Sequence, residues 1–234
     1  MSISVYIGHV RTTKVNLPTD LVNSVERLHI AVFASGRGSN FQALLQAIEE
    51  KRIPNADIVL VVSNNSDARA LEVARKHDIP AVHLSQKQFA TEEEFNHALL
   101  QTLENHSVSF VALAGYMKRL DPAVIQRYRN RIINIHPALL PAFGGKGMYG
   151  AHVHEAVIAS GTKLTGVTVH IVDEEYDHGP IVLQRAVPVE DHDSPETLAA
   201  KVLTVEHQLY SETVRLFAEG KVRVNGRRVY VAHN

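Results

Sequence analysis

The sequence predicts an α/β fold in one domain, with a mostly parallel, doubly wound sheet in the N-terminal half and antiparallel strands in the C-terminal half. In the first half, continuous apolar runs alternate with amphipathic helical segments, which is the pattern of a parallel sheet covered by helices on both faces. In the second half, two strand-like runs follow each other with little between them. The length of 234 residues lies in the range that one α/β domain commonly occupies.

Each apolar run in the N-terminal half is short enough for a strand, and the segments between the runs have a helical period. The predicted strands cover residues 29–34, 57–63, 81–84, 108–114 and 131–135. The predicted helices cover residues 41–51, 68–77, 91–105 and 122–128. Thr91 followed by three glutamates is typical of a helix start, because the hydroxyl caps the first turn and the negative charges interact favourably with its dipole.

The C-terminal half has fewer elements, one of them long. The pattern predicts a helix at 151–160, strands at 164–172 and 180–189, a long helix at 194–218, and a closing hairpin at 222–231 around Asn225-Gly226. Ser194-Pro195 opens the long helix, since Ser is a favoured N-cap and Pro a favoured first residue. Residues 1–28, with a loop entering a short helix at 16–24, are interpreted as an N-terminal extension of a domain that spans residues 29–234.

Composition argues against several classes of protein. The absence of cysteine excludes disulfides, thiol catalysis and thiolate metal sites, and is consistent with a cytoplasmic location. Lys and Arg number 24 against 25 Asp and Glu, so the basic excess typical of a nucleic-acid binder is missing. No apolar run approaches the ~18 residues that span a bilayer, and the N-terminus does not have the pattern of a secretory signal. We therefore expect no nucleic-acid partner and no membrane association.

A glycine turn, residues 35–40 (Ser-Gly-Arg-Gly-Ser-Asn), lies between the first predicted strand and helix. Gly36 and Gly38 allow a sharp turn and close approach to a ligand, and the free N–H groups of the following helix attract an anion. The dinucleotide-binding pattern needs a third glycine where Phe41 stands, and the Lys-Ser/Thr pair of a P-loop is absent. The turn alone leaves a phosphate site and an unliganded tight turn equally open.

Asn134 and His136 end a predicted strand, and residues two apart on a strand point to the same side. Pro137 stops the strand, which leaves the pair at the edge where open α/β sheets bind ligands. An amide and an imidazole together suit stabilisation of an oxyanion in acyl transfer. If Asp177, in an acidic loop, folds back toward His136, it can accept a proton and keep the imidazolium charged. A buried structural histidine and a merely solvated loop remain alternatives.

His152 and His154 do not have the spacing of the helical zinc motif, in which two histidines lie four positions apart with a Glu after the first. No third ligand lies at a recognisable distance. We expect no metal.

The segment Asn134-Ile-His-Pro-Ala-Leu-Leu-Pro strongly resembles a specific block of the folate-dependent formyltransferases. Further blocks resemble the same family in the same order, at residues 35–40, 114–120, 168–172, 176–180 and 205–207. The resemblance runs from about residue 29 to residue 220 and is strongest to the branch that formylates 5′-phosphoribosylglycinamide (GAR) in de novo purine biosynthesis.

The resemblance implies direct transfer of the formyl group from the co-substrate 10-formyltetrahydrofolate to the amine of GAR. Asn134 and His136 match residues that stabilise the oxyanion, and Asp177 matches one that keeps the imidazole charged and assists proton transfer. The residues that match the phosphate and ribose site of the acceptor are Gly38, Ser39, Asn40 and Glu206. Those that match the folate site are Met117, Lys118, Arg119, Leu120 and Asn134, with Asp173, Glu174, Glu175, Tyr176 and Asp177 of the acidic loop.

The sequence departs from the family pattern in three places. Glutamates 92–94 stand where relatives often carry a basic residue for the glutamate tail of the folate, and Lys118 is the candidate substitute. The glycine loop at residues 144–150 is longer than in many relatives, which suggests a flexible lid with Lys146 available for an anion. Residues 1–28 have no counterpart.

Three rival functions follow from the same resemblance. A formyl-folate hydrolase typically carries a regulatory domain before the first strand, and a methionyl-tRNA formyltransferase carries a C-terminal tRNA-binding barrel; neither is expected here. A non-catalytic binding module would not need all of Asn134, His136 and Asp177. The sequence leaves a monomer and a homodimer open.

Overall fold

A seven-stranded sheet forms the centre of the protein, as seen in a computed structural model that describes residues 26–232. Its strand order is β3-β2-β1-β4-β5-β6-β7. The strands are β1 Leu28–Phe33, β2 Ala56–Ser63, β3 Ala81–His83, β4 Phe110–Leu113, β5 Ile132–His136, β6 Leu164–Ile171 and β7 Ile181–Pro188. All pairs from β3 to β5 are parallel, whereas β6 pairs antiparallel with β5 and with β7.

Helices cover both faces of this sheet because successive residues of the central strands point to opposite sides. Ile30 and Val32 of β1 enter one hydrophobic core, and Ala31 and Phe33 enter the other. Helices on the first face are α1 Ser39–Glu49, α2 Arg69–Lys76, α5 Ala151–Ser160 and α6 Pro195–Ala218, and those on the second are α3 Glu92–Asn105 and α4 Pro122–Arg127. The predicted fold class is confirmed.

The C-terminal end forms a separate two-stranded antiparallel sheet, of β8 Val222–Asn225 and β9 Arg228–Val231. Gly226 has a φ of 57° and begins the two-residue turn, which consists of Gly226 and Arg227. The predicted hairpin is therefore confirmed, with its turn one position further along than expected. Hairpins of this length favour a residue with positive φ in the turn, and glycine adopts it without strain.

Element boundaries agree with the predicted ones to within a few residues. Thr91 accepts a hydrogen bond from the amide of Glu94, and Ser194 accepts one from Thr197, so both predicted N-caps are confirmed. A short 3₁₀ helix, Gln86–Gln88, was not predicted. Most of the predicted N-terminal extension, with its loop and helix at residues 16–24, lies outside the described residues. No helix within residues 26–232 is both long and apolar enough to cross a membrane.

The functional residues meet where the strand order changes direction, because β1 lies between β2 and β4. The segments that leave β1 and β4 therefore diverge, and open α/β sheets bind ligands in the resulting crevice. The carboxyl end of β5 lies next to that of β4. One edge of the sheet, at the carboxyl ends of its strands, therefore carries the glycine turn, the segment after β4 and the end of β5.

Candidate active site

The structure brings Asn134, His136 and Asp177 together. Asn134 and His136 lie at the end of β5, and Asp177 reaches them from the loop between β6 and β7. The Nδ2 atom of Asn134 donates to Oδ1 of Asp177 at 3.4 Å, and Nδ1 of His136 lies 3.5 Å from Oδ2. Polar groups from two segments of the chain therefore meet at Asp177, at the edge of the sheet.

The surroundings of His136 determine which ring nitrogen is free. Its Nε2 atom lies 2.8 Å from the carbonyl oxygen of Phe143, which can only accept, so Nε2 carries a proton. In the neutral imidazole, Nδ1 is then unprotonated and faces Asp177. Burial lowers the pKa of His136, and this outweighs the raising effects of the Asp177 charge and the Phe143 carbonyl. The neutral imidazole is therefore favoured when no substrate is bound.

Asp177 is held by neighbours on several sides. Burial alone raises the pKa of its carboxyl group, but the neighbouring His170 and His136 rings and the Gly145 amide together lower that pKa below its ordinary value. The Gly145 amide donates to Oδ2 at 2.9 Å. The carboxylate is therefore ionised at neutral pH, so it can stabilise a proton that arrives on His136 during the reaction. The expectation that it keeps His136 charged beforehand stays a prediction.

His170 is a site residue to which the sequence analysis gave no role. It lies on β6 directly opposite Asn134, and its Nδ1 donates to the carbonyl of Ile171 at 2.9 Å. Its Nε2 can therefore accept from Nδ2 of Asn134, 3.1 Å away, and lies 3.6 Å from Oδ1 of Asp177. A histidine within a predicted strand of mostly apolar residues was the signal available in the sequence.

The glycine loop at residues 144–150 begins next to the carboxylate of Asp177. A Cβ atom on Gly144 would lie 3.2 Å from Cβ of Asp177 and 2.4 Å from the terminal Cδ2 of Leu140, so a side chain at this position would require the Leu140 side chain to move and would crowd Asp177. Gly145 has a φ of 97°, a conformation that L side chains rarely adopt. The start of residues 144–150 thus forms a wall of the site; its role as a flexible lid stays a prediction.

The glycine turn and α6 form a second polar cluster. Gly38 has a φ of 69°, and a Cβ atom there would lie 2.8 Å from Cβ of Ala70, so both the backbone and the space require glycine. Ser39 begins α1, whose first N–H groups have no partner within the helix. The Nδ2 atom of Asn40 donates to Oε2 of Glu206 on α6 at 2.6 Å. The residues predicted for the phosphate and ribose of an acceptor are therefore close together.

Both polar side chains of this cluster have unused capacity for a ligand. Burial raises the pKa of Glu206, and the hydrogen bond from Asn40 offsets this only in part. The Oδ1 atom of Asn40 is buried and has no hydrogen-bond partner among residues 26–232. A cavity of about 210 Å³ lies beside the turn, with Ser39, Gln42 and His207 in its lining. These groups can bind hydroxyls and an anion.

The segment predicted to contact the folate, residues 117–120, follows β4 and is tied to the glycine turn by Ser35. The Ser35 amide donates to the carbonyl of Gly115 at 3.0 Å, and its hydroxyl accepts from the Met117 amide at 2.8 Å. The same hydroxyl donates to Oδ1 of Asn64 at 2.5 Å. Met117, Lys118 and Arg119 are exposed, and Leu120 is buried. One hydroxyl therefore joins segments that follow three different strands.

The rest of the acidic loop is directed outward. Asp173 accepts a hydrogen bond from the Glu175 amide at 3.0 Å, and Glu174, Glu175 and Tyr176 are exposed. Among the predicted residues of this loop, the structure therefore places only Asp177 in contact with Asn134 and His136. The positions of the others allow contact with a ligand above the site.

Within residues 26–232, no group of three or more His, Asp or Glu side chains is arranged to hold a metal ion. His152 is exposed and lies 3.3 Å from Glu155, whereas His154 is buried and its Nδ1 has no partner in the described part of the chain. The two histidines therefore do not form one site. A larger cavity of about 330 Å³ lies elsewhere, between α6, β7 and the end of β9.

Comparison with known proteins gives consistent results. The sequence profile of the family described as Formyl transferase matches residues 28–214. The chain is 43% identical over 199 residues to a chloroplastic phosphoribosylglycinamide formyltransferase of Vigna unguiculata, covering 85% of this chain and 64% of that protein. It thus spans about two thirds of that relative. With the phosphoribosylglycinamide formyltransferase of Bacillus subtilis the identity is 37%, over 79% of this chain and 92% of the relative.

Solved structures show the same likeness. The crystal structure of glycinamide ribonucleotide transformylase 1 from Symbiobacterium toebii superposes with a TM-score of 0.83 and 38% sequence identity, covering 90% of this chain and 96% of that one. Identity and coverage at this level mean that the whole arrangement of β1 to α6 is shared, beyond isolated motifs.

Proposed function

The chain belongs to the formyl transferase family, and from this premise we propose that it transfers the formyl group of 10-formyltetrahydrofolate to the amine of GAR in de novo purine biosynthesis. The observation that carries the proposal is the contact of Asp177 with both Asn134 and His136 at 3.4–3.5 Å. The cluster of Asn40 and Glu206 at the glycine turn supports GAR as the acceptor, because GAR has a phosphate and ribose hydroxyls.

The reaction proceeds by direct attack. The amine nitrogen of GAR bonds to the formyl carbon, and the bond between that carbon and the folate nitrogen then breaks. Negative charge develops on the formyl oxygen in between, and Nδ2 of Asn134 can donate to that oxygen by giving up its long 3.4 Å hydrogen bond to Asp177. A preorganised donor of this kind contributes about 3–4 kcal/mol to lowering the barrier.

His136 and Asp177 assist transfer of the proton that the GAR amine loses. The unprotonated Nδ1 of His136 can take a proton, after which the cation stabilises the oxyanion and Asp177 stabilises the cation. The proton finally reaches the departing folate nitrogen. Since the neutral imidazole is favoured without substrate, the base is available when the amine arrives.

The remaining assignments complete the proposal. Residues 117–120 and the acidic loop contact the folate, and Gly38, Ser39, Asn40 and Glu206 bind the phosphate and ribose. Residues 29–234 constitute the formyltransferase domain and residues 1–28 an extension. The protein works in the cytoplasm as a monomer or homodimer, with small-molecule substrates only. Light scattering of the purified protein measures the oligomeric state.

An assay with three acceptors tests the proposed function. Purified protein is supplied with 10-formyltetrahydrofolate and either GAR, water alone or aminoacylated tRNA, and release of tetrahydrofolate is followed. We expect rapid transfer to GAR, with the His136→Ala variant as the inactive control. Faster release with water alone would identify the protein as a hydrolase, and transfer to tRNA would identify it as a methionyl-tRNA formyltransferase. No release with any acceptor would identify it as a non-catalytic module. Each of these outcomes would overturn the proposal.

A further inference from the structure

We propose that Arg227, in the turn of the C-terminal hairpin, is a positioning residue that fixes the loop carrying Asp177. This inference rests on the proposed function, since Asp177 acts there on the proton of the amine. Arg227 lies beyond residues 28–214, the segment that the family profile matches. The active site would therefore depend on an element outside that segment.

The hairpin is itself firmly attached to the domain. Its strands alternate between half-buried valines and exposed residues. Val222, Val224 and Val229 pack against the main hydrophobic core, and β9 packs against β7. Because the apolar face anchors the strands, the two-residue turn at Gly226 and Arg227 has a defined position. A side chain on that turn can restrain a neighbouring loop.

Arg227 reaches the residue that follows Asp177. Its Nη2 atom donates to the backbone carbonyl of His178 at 2.7 Å, and its Nη1 atom lies 3.1–3.2 Å from the ring nitrogens of His178. The His178 ring in turn lies 2.9 Å from Oδ2 of Asp173, at the start of the loop. The guanidinium therefore holds one end of the acidic loop through both backbone and side chain, and His178 ties that end to the other.

The loop needs such a restraint. Asp177 has a φ of 53°, a left-handed conformation that is uncommon outside glycine and persists only where the surroundings enforce it. Its contacts with Asn134 and His136 are already 3.4–3.5 Å long, so a small displacement outward would break them. The hydrogen bond from Arg227 to the His178 carbonyl, one residue further along, opposes such a displacement.

The test compares two neighbouring arginines of the same hairpin. Arg227→Ala removes the contact, whereas Arg228→Ala serves as a matched control, because Arg228 is exposed and makes no side-chain hydrogen bond within the described residues. We expect Arg227→Ala to lower kcat about two- to fivefold, as the loss of one exposed charged contact would, with the KM for GAR unchanged. Arg227→Lys should recover part of kcat, because an ammonium group can still donate to the His178 carbonyl.

Hydrogen–deuterium exchange provides a readout that does not depend on activity. In Arg227→Ala, amides of residues 173–178 should exchange faster while those of β8 and β9 keep their rates. If kcat and loop exchange of Arg227→Ala equal those of Arg228→Ala, the inference is overturned. If the parent protein does not formylate GAR, the proposed function fails instead, and faster loop exchange in Arg227→Ala alone would still support the role of Arg227 in holding the loop.

Discussion

His136 and Asp177 face each other with Nδ1 3.5 Å from Oδ2, while the other ring nitrogen of His136 is occupied by the carbonyl of Phe143. This arrangement leaves one nitrogen for chemistry and aims it at a carboxylate. It also explains why a buried, neutral histidine can gain a proton during the reaction, since the charge is compensated as soon as it forms.

Removing either oxyanion-stabilising group should abolish most of the activity. We expect Asn134→Ala and His136→Ala each to lower kcat by roughly 100-fold or more, because one such donor contributes ~3–4 kcal/mol. Steady-state kinetics with GAR measures the effect, and circular dichroism checks that each variant is folded. A folded His136→Ala protein with near-normal turnover would refute the assigned role.

His170 should affect catalysis through Asn134 and Asp177. His170→Phe keeps roughly the buried volume but removes both the acceptor for Asn134 and the donor to the Ile171 carbonyl, so we expect kcat to fall about tenfold or more. His77→Phe is the control, because His77 is exposed and its ring contacts Glu49 on α1. Equal kcat values for the two variants would show that Asn134 and Asp177 hold their positions without His170.

Glu206 should affect binding of the acceptor GAR and leave binding of the folate unchanged. We expect Glu206→Gln to raise the KM for GAR about tenfold, because charge-assisted hydrogen bonds to the ribose hydroxyls are lost, and to leave the KM for the folate unchanged. Glu212→Gln on the same helix, whose carboxylate pairs with Arg185, is the matched control. A rise in the KM for the folate instead would show that Glu206 belongs to the folate site and not to the acceptor site.

Ser35 should matter mainly for the folate. Ser35→Ala removes the acceptor of the Met117 amide and the link to Asn64, so residues 117–120 lose a restraint. We expect the KM for 10-formyltetrahydrofolate to rise about fivefold, corresponding to one hydrogen bond of ~1 kcal/mol, and more than the KM for GAR. Ser66→Ala, at an exposed serine whose hydroxyl donates to the neighbouring Asp67, should change neither constant. Equal KM values for 10-formyltetrahydrofolate in Ser35→Ala and Ser66→Ala would refute this role of Ser35.

Buried histidines should make the protein less stable as it is acidified. Burial lowers the pKa of His136, and burial followed by the His136 charge lowers that of His154. The unfolded chain therefore binds more protons than the folded one once the pH falls through about 6.5, and the free energy of unfolding decreases. Asp177, with a lowered pKa, contributes only at more acidic pH.

Urea unfolding at pH 7.5 and pH 5.5, either side of the ordinary histidine pKa, measures this dependence. His154→Leu should reduce the loss of stability between the two pH values, because one buried group that resists protonation is removed. His152→Leu, at an exposed histidine on the same helix, should leave the loss unchanged. An identical loss in both variants would contradict the assignment to His154.

The sequence by itself determined the order and type of the elements and the residues at their ends. Apolar runs, helical periods and capping residues such as Thr91 and Ser194 are local patterns, because each depends on residues only a few positions apart. The direction of Asn134 and His136 followed from the same rule, because a strand alternates its side chains. The family resemblance then supplied Asp177 and Glu206, which no local pattern could have connected to them.

Only the tertiary structure decided how these residues meet. The role of His170 depends on the register between β5 and β6, and the free nitrogen of His136 depends on a carbonyl in a loop. The contact of Arg227 with His178 joins a terminal hairpin to a loop between two other strands. Such contacts link positions far apart in the chain, so they arise from packing, closure of loops and the satisfaction of buried polar groups, which a sequence pattern does not encode.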